Sequence, residues 1–151
     1  MKAAIAERIT ESKVAASALL TAIEMLEGHP LLKVNEAAKL PMLTPFNSLT
    51  PKEIEAEVEQ RLAEGFRTFK IKVGKDADAD VARVKTIQRA IGGRATMRLD
   101  ANRAYSEADG SRFAAALDPA GIELFEQPCH ADDWDANANV AKVSTVPIML
   151  D

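Results

Sequence analysis

Thr68 to Gly74, TFKIKVG, is a β-prone run in which Phe69, Ile71 and Val73 alternate with Lys70 and Lys72. Successive side chains of a strand point to opposite faces, so the three apolar residues share one face and the two lysines the other. An edge strand that keeps its lysines in water has this pattern. So does a helix-covered strand whose second face is reserved for charge, and the flanking sequence favours that alternative.

Outward from this run, short β-prone segments alternate with helical patterns. Strands are expected at 42–47 (MLTPFN), 68–73 (TFKIKV), 95–100 (ATMRLD), 122–126 (IELFE) and 146–151 (VPIMLD). The helices between them carry their own start and stop signals. Thr50, Pro51 and Glu53 make a capping box with proline at the first helical position; the stripe Ile54, Val58, Leu62 follows, and Gly65 ends it. A second helix runs from about Asp78 with Val81, Val84, Ile87 and Ile91 on one face, and stops at Gly92 and Gly93. A third starts at Ser106 and buries Phe113 and Leu117, and a fourth starts near Asp132 or Asp133 and carries Trp134, Val140 and Val143. Each has a single apolar stripe, enough to cover one face of a sheet.

This alternation implies an α/β fold with a parallel sheet and right-handed crossovers, either an open doubly wound sheet or part of a (β/α)8 barrel. Residues 1–41 differ. An alanine-rich helix from Ser12 to Glu27 is broken at Gly28-His29-Pro30, and a shorter helical piece is expected to end at Leu40-Pro41. This segment reads as a small helical domain ahead of the sheet domain, residues 42–151.

In both architectures function sits at the carboxyl ends of the strands. Four consecutive expected strands end in or next to Lys72, Asp100, Glu126 and Asp151, each about one βα unit from the last. Stepping back by two puts Lys70, Arg98, Leu124 and Met149 on the same inward face. Phe69, Ile71, Met97, Leu99, Phe125, Ile148 and Leu150 then face the helices. Three carboxylates at one height repel unless a cation lies between them. An all-oxygen set without cysteine or histidine suits a hard divalent ion, Mg²⁺ before Zn²⁺. Acidic residues that merely favour the start of the next helix are the competing explanation; three in succession opposite a K-x-K favour the ion.

Composition narrows the partners. The 151 residues are 47% hydrophobic and 28% charged, as in a soluble globular protein with one sizeable core. With 19 Lys+Arg against 23 Asp+Glu the net charge is -4 and no basic run stands out, so no nucleic-acid partner is expected. Ser17, Thr21 and Glu24 interrupt the apolar stretch Val14 to Leu26. It neither spans a bilayer nor resembles a signal-peptide core, and a cytoplasmic location without a membrane partner is expected. Cys129 is the only cysteine, which excludes an internal disulfide.

FKIKVG, LDAN (Leu99 to Asn102), FEQP (Phe125 to Pro128) and a last strand ending in MLD, in this order and at these spacings, resemble the mandelate racemase and muconate lactonizing enzyme branch of the enolase superfamily. The resemblance extends over about residues 14–151. It implies a (β/α)8 barrel, which typically needs about 250 residues. This chain would then be a fragment carrying about five βα units, preceded by helices from the end of a capping domain. Enolase-superfamily sites pair a lysine or histidine base with Mg²⁺ that stabilises an ene-diolate; that chemistry comes from the family, not from the spacing of these residues. The implied activity is Mg²⁺-dependent removal of the proton alpha to the carboxylate of a small substrate, by a racemase or epimerase, a cycloisomerase or a dehydratase.

By the same resemblance Asp100, Glu126 and Asp151 match three metal ligands and Lys72 the lysine that exchanges the proton. Lys70 matches its neighbour, which contacts the substrate carboxylate and lowers the pKa of the base. Asn102 matches a polar residue beside the first ligand or the substrate. The family's opposite-face base has no counterpart here, so turnover by this chain alone is not expected. A homo-oligomer is expected, because five strands of a barrel leave edges and the inward Leu124 and Met149 uncovered.

Two other functions share some of these features. One is a receiver-like Mg²⁺-binding signalling module, which needs an acidic pair after its first strand and a lysine at its last, where this sequence has Phe46-Asn47 and Asp151. The other is a non-catalytic, self-associating remnant. Arg98 is expected to pair with the acidic ring, Trp134 to pack, His29 to cap, and Asp76, Asp78 and Asp80 to form an acidic helix start. Cys129 and His130 lack the third group that a nucleophilic pair needs.

Overall fold

The computed structural model describes residues 1–34 and 36–151. The chain divides into two compact units, Met1–Leu40 and Pro41–Asp151. In the first, α1 (Lys2–Ala6) precedes α2 (Lys13–Glu27). The Ser12 hydroxyl accepts the Ala15 N–H at the start of α2, and Gly28 closes it in the left-handed conformation. The second helical piece is a single 3-10 turn, Pro30–Leu32, capped by His29 Nδ1, which accepts the Leu31 N–H. Residues 36–40 carry no helix, contrary to expectation, and position 35 of that stretch lies outside the described residues.

The second unit runs β1 (Thr44–Phe46), α3 (Pro51–Ala63), β2 (Thr68–Lys72), α4 (Ala77–Ile91), β3 (Thr96–Asp100), α5 (Glu107–Ala115), β4 (Ile122–Glu126), α6 (Trp134–Val143) and β5 (Ile148–Met149). The strands are all parallel, in the order β1-β2-β3-β4-β5. Each strand lies beside its predecessor, so the sheet winds in one direction only, as a barrel wall does. A doubly wound sheet reverses at a switch point, and the receiver type places its second strand outside the first. The strand order removes both the doubly wound alternative and the receiver-like module.

Local chemistry sets the helix starts. Thr50 and Glu53 form the reciprocal capping box of α3, and Asp76, Ser106 and Asp133 cap α4, α5 and α6. Each cap stabilises its helix by about 1 kcal/mol. The outward face of the sheet, Phe69, Ile71, Met97, Leu99 and Phe125, is at most 1% exposed and shares one core with Ile54, Val58, Val84, Ile87, Phe113 and Val140 of the helices. Burying each large apolar side chain contributes roughly 1.5–3 kcal/mol.

Two expectations need correction, and one feature of the sheet is new. Trp134 opens α6 and is 70% exposed, while Ala136, Asn137 and Val140 make the buried face of that helix. β5 contains only Ile148 and Met149, so Leu150 lies beyond it and is 44% exposed. The β3–β4 register shifts between Met97, opposite Ile122, and Arg98, opposite Leu124. Glu123 is the extra residue of this bulge, and its carboxylate joins the inward polar row that alternation alone would deny it. Among the described residues no helix is long and apolar enough to cross a membrane.

Candidate active site

Parallel register brings the charged strand ends level. Lys72 lies opposite Asp100, and Asp100 opposite Glu126. One step down β2, Lys70 Nζ stands 2.9 Å from Asp100 Oδ2 and 2.7 Å from Glu126 Oε2. Lys72 Nζ donates to the same Asp100 oxygen, and Asp100 Oδ1 accepts the Asn102 backbone N–H at 2.8 Å. Asp100 and Glu126 are buried, whereas the Lys72 side chain is 58% exposed at the mouth. It borders a cavity of about 270 Å³ that Asn47, Lys75 and Arg83 also line.

Burial alone would raise the Asp100 pKa. Hydrogen bonds from Lys72, Lys70 and the Asn102 N–H outweigh it and hold the carboxyl below the usual aspartate range. Burial would likewise lower the Lys70 pKa, but the bonds to Glu126 and Asp100 raise it above the usual lysine value. The two lysines are brought together over one shared carboxylate oxygen, Asp100 Oδ2.

Asp151 stands apart. The residue level with Glu126 on β5 is Met149, so Asp151 shares its parity but lies two residues further along, roughly 6–7 Å at the usual strand rise. Its backbone N–H donates to Gln127 Oε1 at 2.9 Å. Among the described residues no three acidic, histidine or cysteine side chains come close enough to hold an ion. Asn102 engages Asp100 through its main chain, not its side chain. Asp100 and Glu126 already hold one cation, the Lys70 ammonium, between two oxygen donors. That donor pair fits a hard divalent ion, to which Asp151 would add a third oxygen ligand only by moving.

Sequence reasoning missed what holds the mouth in shape. Asp80, on the first turn of α4 and buried, accepts with Oδ2 from the N–H groups of Gly74 (2.9 Å), Lys75 (3.1 Å) and Asp76 (3.3 Å) and from the Tyr105 hydroxyl (2.7 Å). Burial, then Asp80, push the Tyr105 phenol far above its ordinary pKa. One turn on, Arg83 donates to the carbonyls of Lys72 (2.9 Å), Ser48 (3.0 Å) and Phe46 (3.4 Å). The start of α4 therefore ties down the ends of β1 and β2. Gly74 is required there: its φ is +110°, and a Cβ would stand 2.7 Å from the Ala104 Cβ.

Arg98 does not pair with the acidic ring. Its Nε donates to Glu123 at 2.6 Å, in a lower layer where Thr68 and Thr96 also bond Glu123. Asn102, Arg103 and Gln127, just past the two acids, adopt positive φ without being glycine, a local strain common near functional sites. Gln127 is fully buried and links the Cys129 carbonyl to the Asp151 N–H. Cys129 is buried, its thiol pushed up by burial, while His130 is exposed.

The enolase C-terminal domain-like family model matches residues 53–151. L-Ala-D/L-Glu epimerase of Bacillus subtilis is 40% identical over 105 residues, 68% of this chain and 29% of that one. Muconate cycloisomerase 1 of Acinetobacter baylyi is 35% identical over 115 residues, 75% of this chain and 31% of that one. The structure of muconate lactonizing enzyme from Pseudomonas putida superposes with a TM-score of 0.72 at 28% identity, covering 81% of this chain and 34% of that one. The chain thus spans about a third or less of the length of these relatives, and its five strands form part of a (β/α)8 barrel. With its strand order, its level charged strand ends and these relatives in agreement, the chain belongs to the enolase C-terminal domain-like family.

Proposed function

We propose that this segment supplies one half of a site that removes the proton alpha to a carboxylate, in a racemase, epimerase or cycloisomerase. The observation that carries the proposal is the meeting of Lys70 and Lys72 with Asp100 and Glu126 at one level of the sheet. Asp100 and Glu126 would hold a divalent ion, Mg²⁺ by the hardness of their oxygens. When bound, such an ion supplies the concentrated positive charge that an ene-diolate needs. Lys72, at the open mouth, takes the alpha proton on Nζ in its neutral form and returns it. Lys70 donates to the substrate carboxylate as charge builds on it. Asp80 and Arg83 hold the strand end that aims Lys72.

A graft tests the assignment. Residues 42–151 replace the matching segment of the Bacillus subtilis epimerase, and exchange of the alpha proton of L-Ala-L-Glu with solvent deuterium is followed by NMR. The graft is expected to exchange. Lys72→Ala in it loses exchange on one face by about 10²–10⁴-fold, the usual contribution of a positioned base, and keeps its divalent-ion affinity. Undiminished exchange in Lys72→Ala would remove Lys72 as the base.

A further inference from the structure

The ammonium of Lys70 lies where the ion of the preceding section belongs. Two carboxylates, Asp100 and Glu126, stand side by side at 3% and 7% exposure. Burying such a pair without counter-charge is costly. Among the described residues Lys70 alone bridges both, at 2.9 Å and 2.7 Å, with its side chain 25% exposed. Lys72 reaches only Asp100, and Arg98 is engaged by Glu123. The set of two acids and two lysines is neutral as it stands.

We propose that Lys70 is the resident counter-cation of the Asp100–Glu126 pair, and that a divalent ion enters only by displacing it. This rests on the metal reading above. An ion bound to Asp100 Oδ2 and Glu126 Oε2 takes the same two acceptor atoms that hold the ammonium, and two cations sharing them in a buried place repel strongly. The lysine stem is flexible and starts from the inward face, so its head can swing up to the mouth. There it meets the substrate carboxylate. Loading the ion therefore releases the lysine that binds substrate, and the ion binds first. Adding the ion leaves the cluster in excess positive charge, which a carboxylate substrate then offsets.

Mn²⁺ is the probe, with the free ion read by electron paramagnetic resonance, on the 151-residue chain and its Lys70→Met variant. Methionine keeps the length of the side chain and removes its charge. The variant is expected to bind Mn²⁺ at least about ten-fold more tightly, because two charge-assisted bonds no longer have to be broken. Without the ion it melts at a lower temperature than the unaltered chain. In the unaltered chain, saturating Mg²⁺ is expected to speed acetylation of Lys70, followed by peptide mass spectrometry, and to leave exposed Lys52 unchanged. If Lys70→Met does not fold, Lys70→Gln, neutral but still able to hydrogen-bond both acids, is read in the same way. Equal or weaker Mn²⁺ binding by the variants, with the unaltered chain binding, overturns displacement and leaves the metal reading intact. Mn²⁺ binding by none of them at millimolar concentration overturns both.

Discussion

Asp80→Ala removes one carboxylate oxygen that four donors share, and its cost can be divided between them. The Gly74, Lys75 and Asp76 N–H groups lie in a loop where Lys75 and Asp76 are exposed, so water replaces the acid at those positions. Their loss is about 1.5–2 kcal/mol in all, below the full worth of three charge-assisted bonds. The Tyr105 hydroxyl is buried and loses its acceptor, a further cost of about 1–1.5 kcal/mol. The total is about 3 kcal/mol. Tyr105→Phe removes only the hydroxyl, keeps the ring against Phe113 and Phe125, and leaves the acid with three donors, for about 1 kcal/mol. For a unit of about 110 residues these values lower the melting temperature by roughly 13 °C and 4 °C. Thermal unfolding followed by circular dichroism measures both. Amide exchange then asks where the effect lies, since Gly74 and Lys75 should lose protection in Asp80→Ala and keep it in Tyr105→Phe. An Asp80→Ala melting temperature no lower than that of Tyr105→Phe, or Gly74 and Lys75 amides still protected without the acid, would refute the shared-acceptor account.

Gly74→Ala combines a positive φ with a 2.7 Å clash against Ala104 and should cost about 3 kcal/mol or more, whereas Gly65→Ala, with nothing within 4 Å, should carry backbone strain alone, about 1–2 kcal/mol; chemical denaturation compares the two. The depressed pKa of Asp100 makes its contribution to stability complete above the unfolded aspartate value, about 3.9, and lost as pH falls through the lower folded value. The raised pKa of Lys70 acts in the opposite direction, its contribution complete below about 10.4 and lost as pH rises through the higher folded value. Melting temperature against pH should therefore fall below about pH 4, and Asp100→Asn should flatten that fall; an unchanged acid limb in the variant excludes Asp100 as its source. Trp134→Ala, at 70% exposure, should change stability by no more than about 0.5 kcal/mol, against about 3–5 kcal/mol for Phe113→Ala in the core, both measured by urea unfolding.

Much of the barrel unit was legible because its signals are local. Thr50-Pro51-Glu53, Asp76, Ser106 and Asp133 each satisfy orphan N–H groups within one helical turn, so they fix helix starts without help from the rest of the chain. Alternation in β2 and β3 likewise separates faces, and Phe69, Ile71, Met97 and Leu99 are buried as their parity requires. What was not legible depends on partners distant in sequence. Asp80 looks like one more acid in an acidic helix start, and only the return of the loop after β2 and the approach of Tyr105 make it an anchor. Asn137 looks like a polar position on α6, yet it accepts the Cys129 N–H and donates to the His130 carbonyl. Trp134 matches an apolar stripe by spacing but sits at the first position of its helix, on the solvent side.

The candidate site shows the same division between face and height. Parity assigns Lys72, Asp100, Glu126 and Asp151 to one face, and the first three do stand level, because β2, β3 and β4 are paired to their ends. Height along a barrel wall is a property of register, which the stagger between neighbouring strands sets and no single strand encodes. Glu126 pairs with Met149, so the last acid overshoots the level of the other two, and the β3–β4 bulge gives Glu123 a place on the inward face that a regular ladder would deny it. Both departures bear on charge. The bulge supplies Arg98 with its own acid in the lower layer, which leaves the upper pair, Asp100 and Glu126, to the lysines of β2. With Asp151 two residues beyond the level of Glu126, two acids face two ammonium groups, and the balance that keeps this face folded is the same balance that a divalent ion would have to break.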